Sequence, residues 1–483
     1  MTAPTCTVFF LPGLGFAADA AAPLAAALGE GFRVVPVESP GHGDAPDAPD
    51  GSVGALVDAA VAVIEREADG GPWMLAAHSM GGKIAALVAA RVLSGEARVF
   101  GLTGLVLLAP SPPTPEPMSD EKRAEMLGWV EAGPLSPEHA RDFVAANVAA
   151  PLDADAEQAA VAQVRRTSPV AWRRWLSEGS REDVAAAVGA LDLPVVVLAG
   201  EEDADLGSAA QPGLLAAVYP RARFVPLAGA GHLLPYERAA AVAEAIVALR
   251  EEVVRASAPV APEWARLIAS ERTPVEARAL LARRLIADDP DYRPRALTAA
   301  QLDTLRALAD RLVPQPAGER IDLAARVDAD LARGRGDGWR PAGLPVDATA
   351  YAQGLDAIAA VWPADAAAQD ALIQGVLDGE GLPGSPWSAA LLAAWFDDAR
   401  TDLVRAWLAH PASFARVGYD GFATAAADAS RGAEPAGWAT LAAGERDAWE
   451  PTELGSLRAS STPSIEAPEA APASTAPDQE DAA

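Results

Sequence analysis

Ser79 occupies a position from which a serine hydroxyl could act as a nucleophile. Residues 73–78 read as a short apolar strand and residues 83–93 as a helix, which places Ser79 at the apex of the turn between them. A strand, a sharp turn and a helix lift a serine hydroxyl clear of a sheet. The turn needs small residues two positions before and two positions after the serine, and here they are Ala77 and Gly81. The five residues alone fit an ordinary helix N-cap serine equally well, so the surrounding sequence must decide.

An acid and a histidine follow Ser79 along the chain. A predicted strand at 194–198 leads to Asp203, and a second at 222–227 leads to His232, ahead of a helix that begins near Pro235. His232 would accept the hydroxyl proton during attack, and Asp203 would hold the imidazole in the required tautomer. Asp205 is a rival acid, but Asp203 is favoured because its Gly-x-x-Asp spacing follows the strand end directly.

The order serine, acid, histidine is typical of the α/β-hydrolases. Residues 1–255 resemble an α/β-hydrolase of the compact esterase and lactonase kind, and the string HSMGGK at 78–83 is the most specific part of the resemblance. It implies a parallel sheet with a helical cap, and a serine hydrolase that cleaves a carboxylic ester or lactone through an acyl-enzyme. The string FFLPGLG at 9–15 resembles the loop that supplies one oxyanion-hole amide. The backbone N–H groups of Leu14 and Met80 would then bind the oxyanion.

Residues 111–190 read as an insertion of helices that would cap the active site and shape the substrate pocket. The large apolar residues of the cap either pack it against the sheet or line the pocket, where they would favour an apolar or ring-shaped acyl or alcohol group. They are Trp129, Phe143, Trp172 and Trp175. His42 is either structural or placed at the pocket entrance. His78 is expected to point away from the site and brace the turn, and Lys83 to be a packing and charge-pair residue.

Composition and charge limit the partners, the cellular location and the cofactors to be expected. The chain has 483 residues and a net charge of −29, which argues against nucleic acid and anionic membranes as partners and suits a soluble protein. Its one cysteine, Cys6, excludes an intrachain disulfide and fits a reducing compartment. No apolar run is long enough to span a membrane and no export signal is visible, so a cytoplasmic location is expected. No CxxC, HExxH or phosphate-loop motif is present, so no cofactor or metal is expected in this chain.

The pattern changes after residue 255. Residues 256–296 carry scattered proline and arginine and read as a linker arm, and from 297 to 450 helix follows helix without strands. Thr298 and Gln301 have the spacing of a capping box at the first of these helices. The acidic tail at 451–483 is rich in Pro, Ser and Ala and is predicted to be disordered.

Residues 297–450 resemble the small subunit (subunit 3) of gluconate 2-dehydrogenase. The resemblance rests on LTAAQ at 297–301 with ADRLVP at 309–314, and on AHP at 409–411 with VGYDG at 417–421. It implies docking to a flavin-dependent oxidoreductase of the glucose–methanol–choline type, with FAD only in that partner. Four tryptophans, each either core or an apolar anchor for the partner, are Trp339, Trp387, Trp395 and Trp407.

Other functions remain open at this point. The chain could be a non-catalytic assembly subunit of a flavoprotein complex, in which the hydrolase domain is inactive. A C–C bond hydrolase or a cofactor-free dioxygenase on the same fold is also compatible with the residues.

Overall fold

The carboxyl ends of the strands lie along one edge of the sheet, and each of the three candidate catalytic residues follows one of these strand ends. A computed structural model describes residues 6–48, 51–335 and 340–419, so Trp339 and the predicted tail at 451–483 lie outside the described residues. Six parallel strands form one sheet; they are β1 (Cys6–Leu11), β2 (Phe32–Pro36), β3 (Trp73–His78), β4 (Leu102–Leu108), β5 (Val195–Gly200) and β6 (Ala222–Leu227). Their order across the sheet is β2-β1-β3-β4-β5-β6.

Helices cover both faces of this sheet, as continuous apolar strands such as β3 require. They are α1 (Ala22–Leu28), α2 (Val53–Glu67), α3 (Met80–Leu93), α9 (Gln211–Leu215), α10 (Leu234–Glu237) and α11 (Ala239–Arg255). The helix predicted to begin at residue 83 begins at Met80, directly after the turn. The glycines at 81 and 82 hide this start, because glycine is a poor helix former.

The cap lies between β4 and β5. It comprises α4 (Asp120–Gly128), α5 (Pro137–Ala146), α6 (Ala154–Arg165), α7 (Pro169–Arg174), a π-helical turn at Trp175–Gly179, and α8 (Ala185–Val188). At the start of each of the first four helices, a capping side chain accepts a hydrogen bond from the backbone N–H of the third helical residue. These N-caps are Ser119, Ser136, Asp153 and Ser168.

The segment predicted as a linker arm is packed rather than extended. Within 256–296 it forms α12 (Pro262–Ala269) and α13 (Val275–Leu285). Arg278 of α13 is buried, and its guanidinium donates hydrogen bonds to the carbonyl oxygens of Gly95, Ile268 and Thr273. Gly95 lies two residues after the end of α3, so this segment rests on the end of the helix that begins at the candidate nucleophile.

The remaining described helices form a second apolar core. They are α14 (Ala299–Leu312), α15 (Leu323–Ala332), α16 (Asp347–Ala359), α17 (Ala366–Leu377), α18 (Ala389–Leu408) and α19 (Pro411–Val417). Both bonds of the predicted capping box between Thr298 and Gln301 are present. Trp395 is buried at the centre of this core, which excludes it as a surface anchor, whereas Trp387 and Trp407 are partly buried. The predicted fold class, a parallel sheet with a cap followed by a helical region, is confirmed.

No helix among the described residues has the length and apolarity needed to cross a membrane. The predicted cytoplasmic location stays a prediction.

Asp328 of α15 connects the second core to the chain that leads into it. The side chain is fully buried, and it accepts hydrogen bonds from the Tyr292 hydroxyl at 2.6 Å and from the backbone N–H groups of Arg295, Ala296 and Leu297 at 2.7, 3.1 and 2.8 Å. One carboxylate therefore satisfies four donors at the point where the chain enters α14.

We expect Asp328→Ala to lower the free energy of unfolding by about 3 kcal/mol, because it leaves several buried donors without an acceptor. Urea denaturation followed by circular dichroism measures the change. Asp330→Ala, at an exposed position of the same helix, is the control and should change stability by less than about 0.5 kcal/mol. Equal losses in the two variants would contradict this role for Asp328.

Candidate active site

Ser79 lies in a strained turn between β3 and α3. Its φ is +50° and its ψ is −120°, a conformation that non-glycine residues rarely adopt. Its N–H donates to the Leu108 carbonyl at 3.0 Å, and its carbonyl accepts from the N–H groups of Gly82 at 2.7 Å and Ser111 at 2.9 Å. These backbone bonds hold the strained residue in place and leave its hydroxyl free to point away from the sheet.

The small residue at position 81 is required by the close approach of β1. A Cβ added to Gly81 would lie 2.4 Å from the Leu11 carbonyl oxygen and 2.9 Å from that of Pro12, both closer than atoms can pack. The turn at Ser79 therefore fits against the end of β1 only because residue 81 has no side chain.

The structure brings Ser79, His232 and Asp203 into one chain of hydrogen bonds. His232 Nε2 is 2.9 Å from Ser79 Oγ, and His232 Nδ1 is 2.6 Å from Asp203 Oδ2. The second carboxylate oxygen of Asp203 accepts from the N–H groups of Asp205 at 3.1 Å and Leu206 at 3.0 Å. This geometry is the one a serine nucleophile needs for proton transfer to histidine.

Burial and the ion pair shift the pKa values of Asp203 and His232 in opposite directions. Burial favours neutral Asp203, but the hydrogen bond and charge of His232, with the two N–H donors, outweigh it and lower the pKa of Asp203 to about 2. Burial likewise favours neutral His232, but the hydrogen bond and charge of Asp203 raise its pKa above the ordinary 6.5. Asp203 is thus placed to stabilise the imidazolium that forms when Ser79 loses its proton.

The rival acid Asp205 has a different partner. Its carboxylate forms an ion pair with Lys122 on α4 of the cap. The geometry therefore separates the two acids: Asp203 contacts the histidine, and Asp205 contacts the cap.

The two backbone N–H groups expected to bind an oxyanion belong to residues close to Ser79. Met80 is the first residue of α3, where a helix leaves its N–H groups without partners inside the helix. Leu14 lines the same cavity as Ser79. Gly13 lies so close to the turn that an added Cβ would be 2.9 Å from the Cβ of Ser79. The assignment of both groups to an oxyanion hole stays a prediction.

A cavity lies over Ser79, and His232 and Asp203 line it as well. Of the aromatic cap residues proposed for the pocket, Phe143 and Trp175 line it. Trp172 lies behind this wall: it is fully buried, its ring meets the edge of Phe143, and its Nε1 donates to the Met126 carbonyl. Trp129 stacks on His139 with the ring centroids 5.3 Å apart, and neither ring lines the cavity.

Comparison with known proteins agrees with this geometry. Residues 8–245 match the family model described as the alpha/beta hydrolase family, and they therefore form an alpha/beta hydrolase domain. A polyketide synthase, ThaQ from Burkholderia thailandensis, is 30% identical to this chain over 261 residues, which is 52% of this chain and 12% of ThaQ. The chain thus spans only a small part of that relative's length.

Three solved structures are similar to this domain. The enol-lactonase of Burkholderia xenovorans LB400 is 20% identical, with 52% of this chain and 92% of the other covered and a TM-score of 0.42. A thermophilic esterase of Thermogutta terrifontis is 22% identical, with coverage of 52% and 91% and a TM-score of 0.42. The esterase EaEST of Exiguobacterium antarcticum is 15% identical, with coverage of 52% and 93% and a TM-score of 0.44.

The family match ends at residue 245 of the chain. The resemblance of residues 297–450 to the gluconate 2-dehydrogenase small subunit, and the partner that it implies, stay predictions. So does the expectation that this chain carries no cofactor of its own.

The sequence suggested that His78 of the hydrolase domain points away from the site, but the structure places it at the site. It lines the cavity, and its Nε2 is 2.9 Å from the backbone carbonyl oxygen of His232. Burial, and then the charge of His232, lower the pKa of His78 to about 3. His78 is therefore neutral and donates from Nε2, a bond that fixes the backbone of the candidate catalytic histidine.

His42 is buried beside a different cavity, which Met80 and Trp175 also line. Its Nδ1 is 3.1 Å from the Pro40 carbonyl, and its Nε2 has no hydrogen-bond partner among the described residues. It does not line the cavity over Ser79, and a place at the entrance to that cavity stays a prediction.

Lys83 connects the hydrolase core to the cap. It is fully buried on α3, and its Nζ donates to the carbonyl oxygens of Gly179 at 2.9 Å and Glu182 at 2.7 Å. The same ammonium lies 5.8 Å from the ring centroid of Trp175. Burial lowers the pKa of Lys83 to about 8. Its hydrogen-bond partners are carbonyl oxygens rather than a carboxylate, although the charge of Glu116 also acts on it, and its ammonium lies beside the Trp175 ring of the cavity wall.

Sequence reasoning missed Glu116, a partly buried residue of the cavity wall between β4 and α4. Ser111 Oγ donates to its Oε2 at 2.7 Å. Burial raises the pKa of this carboxyl, and the Ser111 hydrogen bond and the charges of His232, Lys83 and Arg123 only partly oppose the rise. One signal was available: the segment follows the carboxyl end of a central parallel strand, where ligands of α/β sheets bind.

We expect Gly13→Ala to lower kcat/KM for ester hydrolysis by about 10²-fold or more, because its Cβ would lie 2.8 Å from His78 Nδ1 and 2.9 Å from the Cβ of Ser79. Steady-state kinetics measure the loss. Gly213→Ala in α9, where an added Cβ meets nothing within 4 Å, is the matched control and should keep its activity. Full activity in Gly13→Ala would show that the loop at 9–15 does not constrain the turn.

Proposed function

We propose that this protein is a serine hydrolase that cleaves a carboxylic ester or lactone through an acyl-enzyme. The observation that carries the proposal is the hydrogen-bonded chain from Ser79 through His232 to Asp203, with the serine in a strained turn. The alpha/beta hydrolase family match supports the same class of activity.

In the proposed reaction, each proton moves along the hydrogen-bonded chain of Ser79 and His232. His232 Nε2 takes the proton of Ser79 Oγ as that oxygen attacks the substrate carbonyl, and the charge of Asp203 stabilises the imidazolium. The N–H groups of Leu14 and Met80 stabilise the oxyanion. As the tetrahedral intermediate collapses, His232 returns the proton to the leaving alcohol oxygen. Water then attacks the acyl-enzyme by the same route and releases the acid.

The cavity favours a largely apolar substrate. Apart from the candidate catalytic residues, most of its wall is apolar; these side chains are Leu14, Phe16, Met118, Met126, Phe143, Trp175, Leu206 and Leu233. Because one relative is a polyketide synthase, thioesters belong beside oxygen esters and lactones in the first substrate panel.

A second proposal concerns the helical region, which we infer docks a flavin-dependent oxidoreductase. The sequence resemblance motivates it, and partly buried Trp407 next to Leu408, which is 44% exposed on α18, offers an apolar contact. Co-expression with a flavoprotein encoded beside this chain, followed by size exclusion at flavin wavelengths, tests it. A colourless protein eluting alone would contradict it.

We expect Ser79→Ala and His232→Ala to abolish hydrolysis, and Asp203→Asn to lower kcat by about 10⁴-fold, because the three residues act as a unit. Asp205→Asn is the control and should stay close to wild type. A fluorophosphonate probe should label the wild type and leave Ser79→Ala unlabelled. A folded wild type that resists the probe would favour the non-catalytic assembly subunit, and labelling without ester cleavage would favour the C–C bond hydrolase.

We expect kcat/KM to fall about tenfold per pH unit below the pKa of His232, which lies above 6.5, because only the neutral imidazole can accept the serine proton. In Asp203→Asn the partner that raises this pKa is lost, so the residual activity should persist to lower pH. Asp205→Asn should leave the acid limb in place. An acid limb that does not move in Asp203→Asn would contradict the assignment of His232 as the base.

A further inference from the structure

The charges around the cavity are not balanced. Among the described residues that line it, the acidic side chains are Glu116, Asp203 and Asp205, and Lys122 is the only lysine or arginine. Asp205 already pairs with Lys122, and Asp203 with His232. Glu116 has a neutral hydroxyl as its side-chain hydrogen-bond partner and forms no ion pair within 4 Å among the described residues, although the charges of Lys83 and Arg123 act on it from a greater distance.

Glu116 is held at a fixed position relative to the candidate nucleophile. Its backbone N–H donates to the Ser180 carbonyl at 2.7 Å. Its carboxylate accepts from Ser111 Oγ, and the N–H of the same Ser111 donates to the Ser79 carbonyl at 2.9 Å. A single intervening residue therefore connects the carboxyl group to the backbone of the turn, which is the kind of pre-organised polar group that orients a ligand.

A carboxylate that is partly removed from water and has no ion-pair partner costs free energy, and a charged donor in contact with it recovers part of that cost. Burial raises the pKa of Glu116, and the Ser111 hydrogen bond and the charges of His232, Lys83 and Arg123 only partly oppose the rise. An ammonium group placed beside it would supply a charge-assisted hydrogen bond, whereas a second carboxylate would add repulsion. The net charge of −29 on the chain also favours a cationic ligand over an anionic one.

We propose that Glu116 is a specificity-determining residue that binds a protonated amine on the substrate, so that the preferred substrates are esters or lactones that carry an amino group. This inference rests on the proposed function for the bond that is cleaved, and on the cavity alone for the group that is recognised. Substrates that end in a carboxylate are disfavoured by the same residue.

Three esters of matched length test the inference: ethyl 6-aminohexanoate, ethyl heptanoate and monoethyl heptanedioate. For the wild type at pH 7, kcat/KM for the amino ester should exceed that for the carboxylate ester by at least about tenfold. Glu116→Gln, which keeps the size of the side chain, should reduce this ratio severalfold. Glu121→Gln makes the same charge change at an exposed position of α4 and should leave the ratio unchanged. Thermal unfolding checks that each variant folds. If Glu116→Gln does not fold, the ratio of the two kcat/KM values measured for the wild type tests the inference by itself.

A binding measurement separates this inference from the proposed function. Titration calorimetry on Ser79→Ala, which cannot form the acyl-enzyme, should show tighter binding of the amino ester than of the carboxylate ester, and the preference should be lost in Ser79→Ala with Glu116→Gln. If the wild type cleaves none of the esters but this preference is present, the proposed function fails and the role of Glu116 stands. Equal affinity for the amino and carboxylate esters, or a preference that persists without Glu116, would overturn the inference.

Discussion

The close approach of the Ser79 turn to the end of β1 is the constraint on which the rest of the site depends. Gly81 brings the start of α3 against the carbonyl oxygens of Leu11 and Pro12, and a single added methyl group would collide with both. The same approach sets the loop after β1 beside the serine, where its N–H groups can meet an oxyanion. Ser79 can hold a positive φ only because backbone bonds from the strands and from α3 fix it on both sides.

The cap is part of this arrangement rather than a separate cover. The carbonyl oxygen of Asn147, at the end of α5, accepts the N–H groups of His232 at 2.8 Å and Leu233 at 3.0 Å. Lys83 extends from α3 to two carbonyls of the cap. The elements that shape the substrate cavity therefore also position the proposed base, and a change in the cap can alter selectivity and catalytic geometry together.

The features that could be predicted from the sequence are those encoded locally. Ser79 with Gly81, the spacing that favours Asp203 over Asp205, and the capping box at Thr298 are each written within a few residues, and the structure has each in that form. The orientation of His78, the placement of Glu116 and the contacts of Lys83 depend on residues far away in the chain, such as the carbonyl of His232. Neither periodicity nor spacing contains that information, because it arises only when the strand ends meet.

Residues 256–296 are joined to the hydrolase domain through the helix that starts at the candidate nucleophile. The first residue of α3 supplies a proposed oxyanion donor, Lys83 holds the cap, and Gly95, which follows the helix, receives the buried guanidinium of Arg278. Gly95 also approaches α13 so closely that an added Cβ would lie 2.2 Å from the Val275 carbonyl oxygen. Arg278 would lose an acceptor if α3 moved, and a buried guanidinium with too few acceptors is costly. The packing of residues 256–296 therefore depends on the same helix position that the active site requires, which explains why this segment is folded onto the domain instead of acting as a flexible arm.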